Sequence, residues 1–203
     1  MLKISKTEPL YFTHAKSKVR EPNIKGAWGD NNIALIREQL RDDILNNEQN
    51  GLCVYCEKKI LSCAKKSNID HFETRNLVPE KTLDYQNLFV SCNTRGRCSN
   101  FKDSRKSPLK YKADYENIVY PLKEGSDAFF DYLTSGEITP LSDKEAFTVE
   151  VFNLNQQSLR DERKLLADTL MCCGGLSLEE IFEAFGYEFQ SFIQSLYPKL
   201  ENI

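Results

Sequence analysis

The sequence lacks several features that mark common protein classes. It has no apolar run long enough to span a bilayer, and residues 1–6 do not form a secretory signal. It has no G-x4-G-K-[ST] phosphate loop, so this chain is not expected to hydrolyse nucleotides. Internal repeats, low-complexity tracts and clear linkers are also missing. We therefore expect a cytoplasmic globular protein that does not act at a membrane.

The chain also lacks an excess of positive charge. Its formal net charge is -3, from 27 Lys and Arg against 30 Asp and Glu. This balance argues against a protein that binds nucleic acid with its whole surface, so any nucleic-acid surface must be local. At 203 residues the chain can form one domain, or one domain with an extension.

Histidine and tryptophan are scarce, with two of the former and one of the latter. We interpret His14 as a surface or packing residue without a catalytic role. Trp28 is expected to anchor an N-terminal arm, residues 1–29, which we predict to be extended with a short strand or turn. The second histidine, His71, lies in a more informative context.

Seven cysteines in a cytoplasmic protein indicate metal ligands rather than disulfides. Two pairs, spaced C-x2-C and C-x5-C, are separated by about 35 residues, which favours one tetrahedral zinc. The predicted zinc ligands are Cys53, Cys56, Cys92 and Cys98. The cysteines left over are Cys63, Cys172 and Cys173.

A carboxylate and an imidazole stand side by side between the two pairs, at Asp70 and His71. A carboxylate oxygen is a hard ligand for an Mg²⁺-like ion, and an imidazole can take a proton from water. Neighbours on a strand point to opposite faces, so the two serve one site only if the backbone turns or if the site lies at the strand edge. In the alternative interpretation, His71 is a core histidine or a zinc ligand that replaces Cys98.

Basic residues are concentrated from Arg95 to Lys112, where the only acid is Asp103. Such charge runs are usually solvated faces, but the position beside the predicted metal site favours contacts with phosphate. The predicted nucleic-acid contacts are Arg95, Arg97, Lys102, Arg105 and Lys106.

The secondary structure predicted for the first half is mixed. Asp30 or Asn31 is expected to cap a helix that runs to about Asn47. Residues 52–60 are predicted as a strand bent by the first cysteine pair, residues 69–72 as a strand, and residues 87–91 as the start of a helix or turn.

The second half is predicted to change from mixed to helical. We expect strands at 118–121 and 147–152, and a strand pair at 129–133 and 136–140. Asn155 is expected to cap a helix to about Cys172 that ends at residues 174–175. Ser177 then begins a helix with a capping box to Glu180, and its apolar stripe, which extends to Leu196, is either core or a docking face for a partner.

The Asp-His pair, the Tyr-Gln-Asn-Leu segment at 85–88 and the cysteine pairs together resemble the HNH endonucleases, whose ββα-metal fold is often held by a zinc on four cysteines. The resemblance implies an α+β protein with a treble-clef-like nuclease core. The nuclease region would span residues 1–112 with an N-terminal helix, and a mostly helical extension would span 113–203.

The resemblance also implies roles for individual residues. Asp70 would bind a catalytic Mg²⁺ or Mn²⁺, His71 would be the general base, and Asn87 would hold the loop that orients the base. The family has a third site residue, His or Asn, which follows the last cysteine and completes the metal site. Counting back from Lys102 places it at Ser99, whereas the need for a metal-ligating side chain places it at Asn100. We expect Asn100 to complete the ion site, because an amide oxygen is a better hard-metal ligand than a hydroxyl.

Three longer segments look like the PtuB-type HNH proteins, which accompany an ATPase in Septu and retron-linked antiphage defence. They are L-C-x-Y-C-E-x-x-I, L-D-Y-x-N-L-x-x-S-C and the F-N-L-N at 152–155. This resemblance implies a metal-dependent endonuclease that acts on DNA more than RNA, with a PtuA-like ATPase and with or without a retron reverse transcriptase. The alternative is a non-catalytic zinc module that binds nucleic acid or protein. The Asp-His pair favours the nuclease, since a zinc module has no need of it.

Overall fold

The computed structural model describes residue 1 and residues 3–122, 130–172 and 175–200. Phe129, Cys173 and Gly174, which entered the predictions above, lie outside these residues. The helices are α1 Leu10–Ser17, α2 Asn31–Ala34, α3 Arg37–Asp43, α4 Cys98–Lys102, α5 Asp143–Phe152, α6 Gln157–Leu170, α7 Leu178–Phe185 and α8 Gln190–Leu200. The strands are β1 Ser67–His71, β2 Leu88–Cys92, β3 Asp131–Tyr132 and β4 Ile138–Thr139. The class is therefore α+β, with small sheets, as predicted.

The N-terminal arm contains helix α1, so the prediction of an extended arm with a short strand or turn was wrong for these residues. Its helix α1 buries Phe12 and Ala15, which are three residues apart and therefore share one helical face. The helix predicted next begins at the expected cap, because the Asp30 side chain accepts a hydrogen bond from the Asn32 N–H. It is interrupted between α2 and α3, and it ends in a π-helical turn, Ile44–Glu48.

Strands β1 and β2 form an antiparallel pair at the centre of the first half. Asp70 lies opposite Phe89, and His71 lies opposite Leu88. The prediction that residues 87–91 begin a helix or turn was wrong, because this apolar run is fully buried and pairs with β1 along its length. Helix α4 follows β2 and packs against it.

Residues 52–60 form a tight turn rather than a bent strand. One isolated bridge joins Leu52 to Lys59, and the Cys53 N–H donates to the Lys58 carbonyl. The turn is tied to β2 by a hydrogen bond from the Val54 N–H to the Val90 carbonyl. Cys53 and Cys56 are both buried within this turn, and only the single bridge between Leu52 and Lys59 forms.

The second half confirms the strand pair, as β3 and β4, and the capping box of α7 between Ser177 and Glu180. Residues 147–152 belong to helix α5 instead of a strand, because the Ser142 hydroxyl caps the helix by accepting from the Glu145 N–H. Residues 118–121 are not a strand either.

Two further predictions about the second half need correction. Helix α6 is capped by Gln156 rather than by Asn155. The apolar stripe after Ser177 is divided into two helices at Gly186, which adopts a φ of 69° that suits glycine.

The C-terminal helices pack on the cysteine-rich half of the chain. The Tyr55 and Phe152 rings stack with centroids 3.9 Å apart, and Phe192 and Leu196 belong to the same apolar core. This core includes residues from both sides of position 112, where the domain boundary remains a prediction. Within the described ranges, no helix is long and apolar enough to cross a bilayer.

Candidate functional site: a cysteine cluster and a histidine-lined cavity

The four predicted cysteines come together in the structure. The turn at 52–60 supplies two of them, the end of β2 supplies the third and the start of α4 supplies the fourth. All four are buried, and their sulfur atoms lie within 4.8 Å of one another. Cys53 Sγ is 3.9 Å from Cys98 Sγ, and Cys56 Sγ is 4.0 Å from Cys92 Sγ. A tetrahedral zinc with Zn–S bonds of about 2.3 Å requires S···S distances of about 3.8 Å, so these residues can hold such a structural metal.

Arg97 lies against this cluster instead of facing solvent. Its side chain is 7% exposed, and its Nη1 reaches Ser158 Oγ at 3.3 Å and Glu162 Oε1 at 3.6 Å. Burial alone would lower the pKa of Arg97, but the charges of the cysteine thiolates raise it above its ordinary value. The geometry therefore gives Arg97 a role in balancing the negative charge of the cluster.

His71 is the last residue of β1, and the structure fixes the orientation of its ring. The Trp28 ring meets it edge-on with centroids 4.7 Å apart, and Nε2 lies 3.0 Å from the Thr82 carbonyl oxygen. A carbonyl only accepts, so Nε2 carries the proton and donates it, and the lone pair of the neutral ring is on Nδ1. Burial lowers the pKa of His71 to about 3, so the ring is neutral at pH 7.

Asn87 secures the loop that supplies the Thr82 carbonyl. Its Oδ1 accepts from the Glu73 N–H at 2.7 Å, and its Nδ2 donates to the Glu73 and Lys81 carbonyls at 3.0 and 3.1 Å. The side chain is buried, so these hydrogen bonds are shielded from water. Residues 73–82 are thereby held at both ends, and Thr82 is positioned against the histidine ring.

Asp70 lies beside His71, but its carboxylate is engaged within the protein. One oxygen accepts from the Tyr55 hydroxyl, and the other is 3.1 Å from Lys102 Nζ. Burial raises the pKa of Asp70 to about 6, against the opposing charge of Lys102. The Lys102 ammonium also lies 3.1 Å from Asp103 and donates to the His71 carbonyl at 2.6 Å. Burial would lower the pKa of Lys102, but the two carboxylates raise it, so this cation is retained at the site.

A cavity of about 510 Å³ opens in front of these residues. Four consecutive β1 residues, Asn68 to His71, line it together with Lys102 at the end of α4 and Asp103 just after it. In the described part of the chain, no strand pairs with the other edge of β1. Asp70 and His71 therefore reach one space across the strand edge, which is how two neighbours on a strand can share a site.

The alternative roles weighed for His71 fit the structure less well. Cys98 is part of the metal cluster, so the histidine is not needed as a replacement ligand. The ring is buried, as a core histidine would be, but it also lines the cavity. The other histidine, His14, is exposed, in agreement with the surface role predicted for it.

Some predicted site residues do not join this cavity. Asn100 is exposed, and its side-chain oxygen accepts from the Gly96 N–H at 3.2 Å. Ser99 is buried and does not line the cavity, although its hydroxyl donates to Asn68 Oδ1, which belongs to a residue of the cavity wall. The remaining predicted nucleic-acid contacts are exposed and do not line the cavity. They are Arg95, Arg105 and Lys106.

Sequence reasoning missed several residues of the site. Asp103 and Tyr55 both contact the Asp70–Lys102 pair, and Lys25 and Arg75 line the cavity. Asp103 follows Lys102 by one residue and had a detectable signal, as the only acid in the basic stretch. The others come from loops, whose approach to β1 the sequence does not specify.

Comparison with known proteins is consistent with this geometry. No family model matches the chain. The chain is 28% identical over 141 residues to the "Retron Vc95 putative HNH endonuclease" of Vibrio cholerae serotype O1 biovar El Tor, with 64% of each protein covered. It is 29% identical over 110 residues to "Septu protein PtuB" of Bacillus thuringiensis, covering 53% of this chain and 38% of that protein.

The chain is similar to PtuB-like HNH proteins. These two relatives confirm the resemblance found in the sequence motifs. The alignments span less than two thirds of each relative's own length, 64% and 38%. The activity and partners of the whole proteins therefore enter only as proposals for this chain.

Proposed function

We propose that the protein is an HNH-type endonuclease that hydrolyses nucleic-acid phosphodiester bonds. In this proposal, β1, β2 and α4 form the ββα-metal core, and the cysteine cluster holds a zinc that braces it. The observation that carries the proposal is the state of His71. Its ring is neutral and lines the cavity, and its proton is on Nε2 against Thr82, so Nδ1 is the nitrogen that can accept a proton.

The chemistry assigned to His71 is general-base catalysis. A water in the cavity donates a proton to Nδ1 while its oxygen attacks phosphorus, and the Thr82 carbonyl stabilises the imidazolium that forms. The P–O bond to the leaving strand end breaks as the new bond forms, and the leaving oxygen takes its proton from solvent. Asn87 acts through the loop rather than on the substrate, since its three hydrogen bonds hold residues 73–82 in place. The burial that lowers the pKa of His71 keeps the base unprotonated over the physiological pH range.

The predicted Mg²⁺ or Mn²⁺ at Asp70 and Asn100 does not fit this arrangement. Both oxygens of Asp70 are engaged, by Tyr55 and Lys102, and the Asn100 amide bonds to the loop at Gly96. The Lys102 ammonium already supplies a positive charge at Asp70. The divalent ion is therefore a prediction that these side-chain contacts do not support, and no step of the reaction passes through it.

The biological role follows from the relatives rather than from the site. One relative is named as an HNH endonuclease of a retron and the other as a Septu protein. We extend this to a toxic effector of antiphage defence in the cytoplasm, which works with a PtuA-like ATPase, with or without a retron reverse transcriptase. DNA is the favoured substrate over RNA.

One observation favours the alternative of a non-catalytic zinc module that binds nucleic acid or protein. Asp70 is locked in an ion pair and a hydrogen bond, as a purely structural carboxylate would be. Such a module has no use for a neutral histidine at a cavity wall, and this makes the nuclease the better-supported function.

The test is an incubation of the purified chain with plasmid, single-stranded DNA and total RNA, with and without Mg²⁺ or Mn²⁺. His71→Ala should abolish cleavage of whichever substrate is cut. His14→Ala is the matched control, because His14 is the other histidine and is exposed. Cleavage by His71→Ala at the rate of the parent, with equal metal content and folding, would refute the proposed base.

A further inference from the structure

The cavity in front of His71 is more positive than the chain that contains it. The whole chain has a formal net charge of -3. The basic side chains of the cavity wall are Lys25, Arg75, Lys102 and Lys110, and its acids are Asp70 and Asp103. Four cations against two anions give this wall an excess of two positive charges, without counting His71. A concave surface of one sign concentrates ions of the opposite sign.

Two of the four cations are already used within the protein. Lys102 is bound to both carboxylates of the cavity, and Lys110 Nζ donates to the Arg105 carbonyl at 3.0 Å. Among the described residues, no acid or carbonyl pairs with the side-chain charge of Lys25 or Arg75. Lys25 is exposed and Arg75 is half-buried, so both can reach a molecule that enters the cavity.

The charge of Arg75 acts directly on its surroundings. It contributes to lowering the pKa of His71 and of Arg37, in addition to the larger effect of burial. Arg37 itself lies over the Trp28 ring, with its guanidinium carbon 5.3 Å from the ring centroid. An anion that binds to Arg75 in the cavity offsets the repulsion between these two guanidinium groups.

We propose that Lys25 and Arg75 form a phosphate clamp that holds the nucleic-acid backbone in front of His71. Arg75 offers a planar fork of N–H donors that matches two phosphate oxygens, and Lys25 adds a mobile point charge from the N-terminal arm. Lys102, which the sequence placed among the phosphate contacts, serves Asp70 instead. This inference rests on the proposed function, because a clamp beside His71 positions a phosphodiester for attack.

The experiment measures binding separately from cleavage. His71→Ala serves as the background, so that the nucleic acid stays intact. Binding of fluorescein-labelled duplex and single-stranded DNA is followed by fluorescence polarisation over a series of salt concentrations. Arg75→Gln and Lys25→Gln are compared singly and together in this background. Lys144→Gln is the matched control, since Lys144 is exposed and does not line the cavity.

The expected effect follows from counterion release. Each lost phosphate contact reduces the magnitude of the slope of log K against log salt by about 0.9 on duplex DNA. This corresponds to about eightfold weaker binding at about 0.1 M salt. The double variant should therefore bind roughly 60-fold more weakly, with a slope lower by about 1.8. Lys144→Gln should bind as the background does.

The outcomes separate the clamp from the nuclease. The clamp would be overturned if the double variant keeps the affinity and salt slope of the background, or if the background does not bind at all. In either case, cleavage by the parent that depends on His71 would still support the nuclease. A slope that falls in Arg105→Gln but not in Arg75→Gln would also overturn it, in favour of the exposed stripe. If the variants lose affinity and salt dependence as expected but the parent protein cleaves none of the nucleic acids, the clamp is supported and the nuclease function is refuted.

Discussion

Replacing Asn87 by alanine tests whether the base depends on a pinned loop. The substitution removes three hydrogen bonds, of 2.7, 3.0 and 3.1 Å, from a buried side chain. Leaving a buried partner unsatisfied costs about 1–3 kcal/mol, and the groups affected here are the Glu73 N–H and the Glu73 and Lys81 carbonyls. Since Glu73 and Lys81 are only partly buried, water recovers some of this loss. We expect Asn87→Ala to lower the free energy of unfolding by about 2–4 kcal/mol.

The same substitution should slow cleavage in the molecules that remain folded. Without Asn87, residues 73–82 are freed, and the Thr82 carbonyl no longer fixes the His71 ring. A displacement of about 1 Å in a catalytic group can cost about 100-fold in rate, so we expect a 10- to 100-fold loss of kcat/KM.

The assays are urea unfolding followed by circular dichroism, and cleavage measured well below the unfolding midpoint. Gln86→Ala is the matched control, because Gln86 is next to Asn87 in sequence and its side chain is exposed. This substitution should change the free energy of unfolding by less than about 0.5 kcal/mol. If Asn87→Ala unfolds at the same urea concentration as Gln86→Ala and cleaves as fast, the loop does not orient the base.

Three further predictions concern the metal cluster, the pH dependence and the buried ion pair. Cys56→Ser should lose the bound metal and much of the thermal stability, whereas Cys63→Ser, at an exposed cysteine, should keep one equivalent by elemental analysis; equal metal contents would contradict the site. The pKa of His71 is about 3 in the folded protein and about 6.5 in the unfolded chain. The unfolded chain therefore binds a proton below pH 6.5 that the folded protein does not, and the free energy of unfolding decreases as pH falls from 6.5 towards 3. The parent should therefore lose about 2 kcal/mol more than His71→Gln between about pH 7.5 and about pH 5, and parallel unfolding curves would refute the burial of a neutral ring. Lys102→Met should cost about 3–5 kcal/mol by leaving Asp70 unpaired, and adding Asp70→Asn should recover part of it; additive losses in urea unfolding would show that the two do not interact.

The cysteine cluster was predictable because spacing alone carries much of its information. Two close cysteine pairs at this spacing favour a shared metal, and all four thiols meet as expected. The cap at Asp30 and the capping box at Ser177 were predictable for a similar reason, since each depends on residues that are neighbours in sequence.

The arrangement of the cavity was not predictable, because it depends on contacts between distant segments. The base is oriented by a backbone carbonyl at Thr82, which no side-chain pattern reveals. Lys102 lies in a basic stretch but is drawn inward by Asp70, a residue 32 positions earlier in the sequence. Helix α5 was predicted as a strand because its run of Thr, Val and Phe favours strands, and burial with a local cap decided otherwise.

The proposed mechanism depends on the protonation state of the His71 ring, and nitrogen NMR measures this state directly. Long-range proton–nitrogen correlation of the labelled protein shows two imidazole patterns, and His14→Gln assigns them. We predict that His71 is neutral at about pH 7, with a protonated Nε2 and a bare Nδ1, and that it does not titrate above about pH 5. A proton on Nδ1, or a cationic ring at neutral pH, would leave no base facing the cavity and would contradict the mechanism.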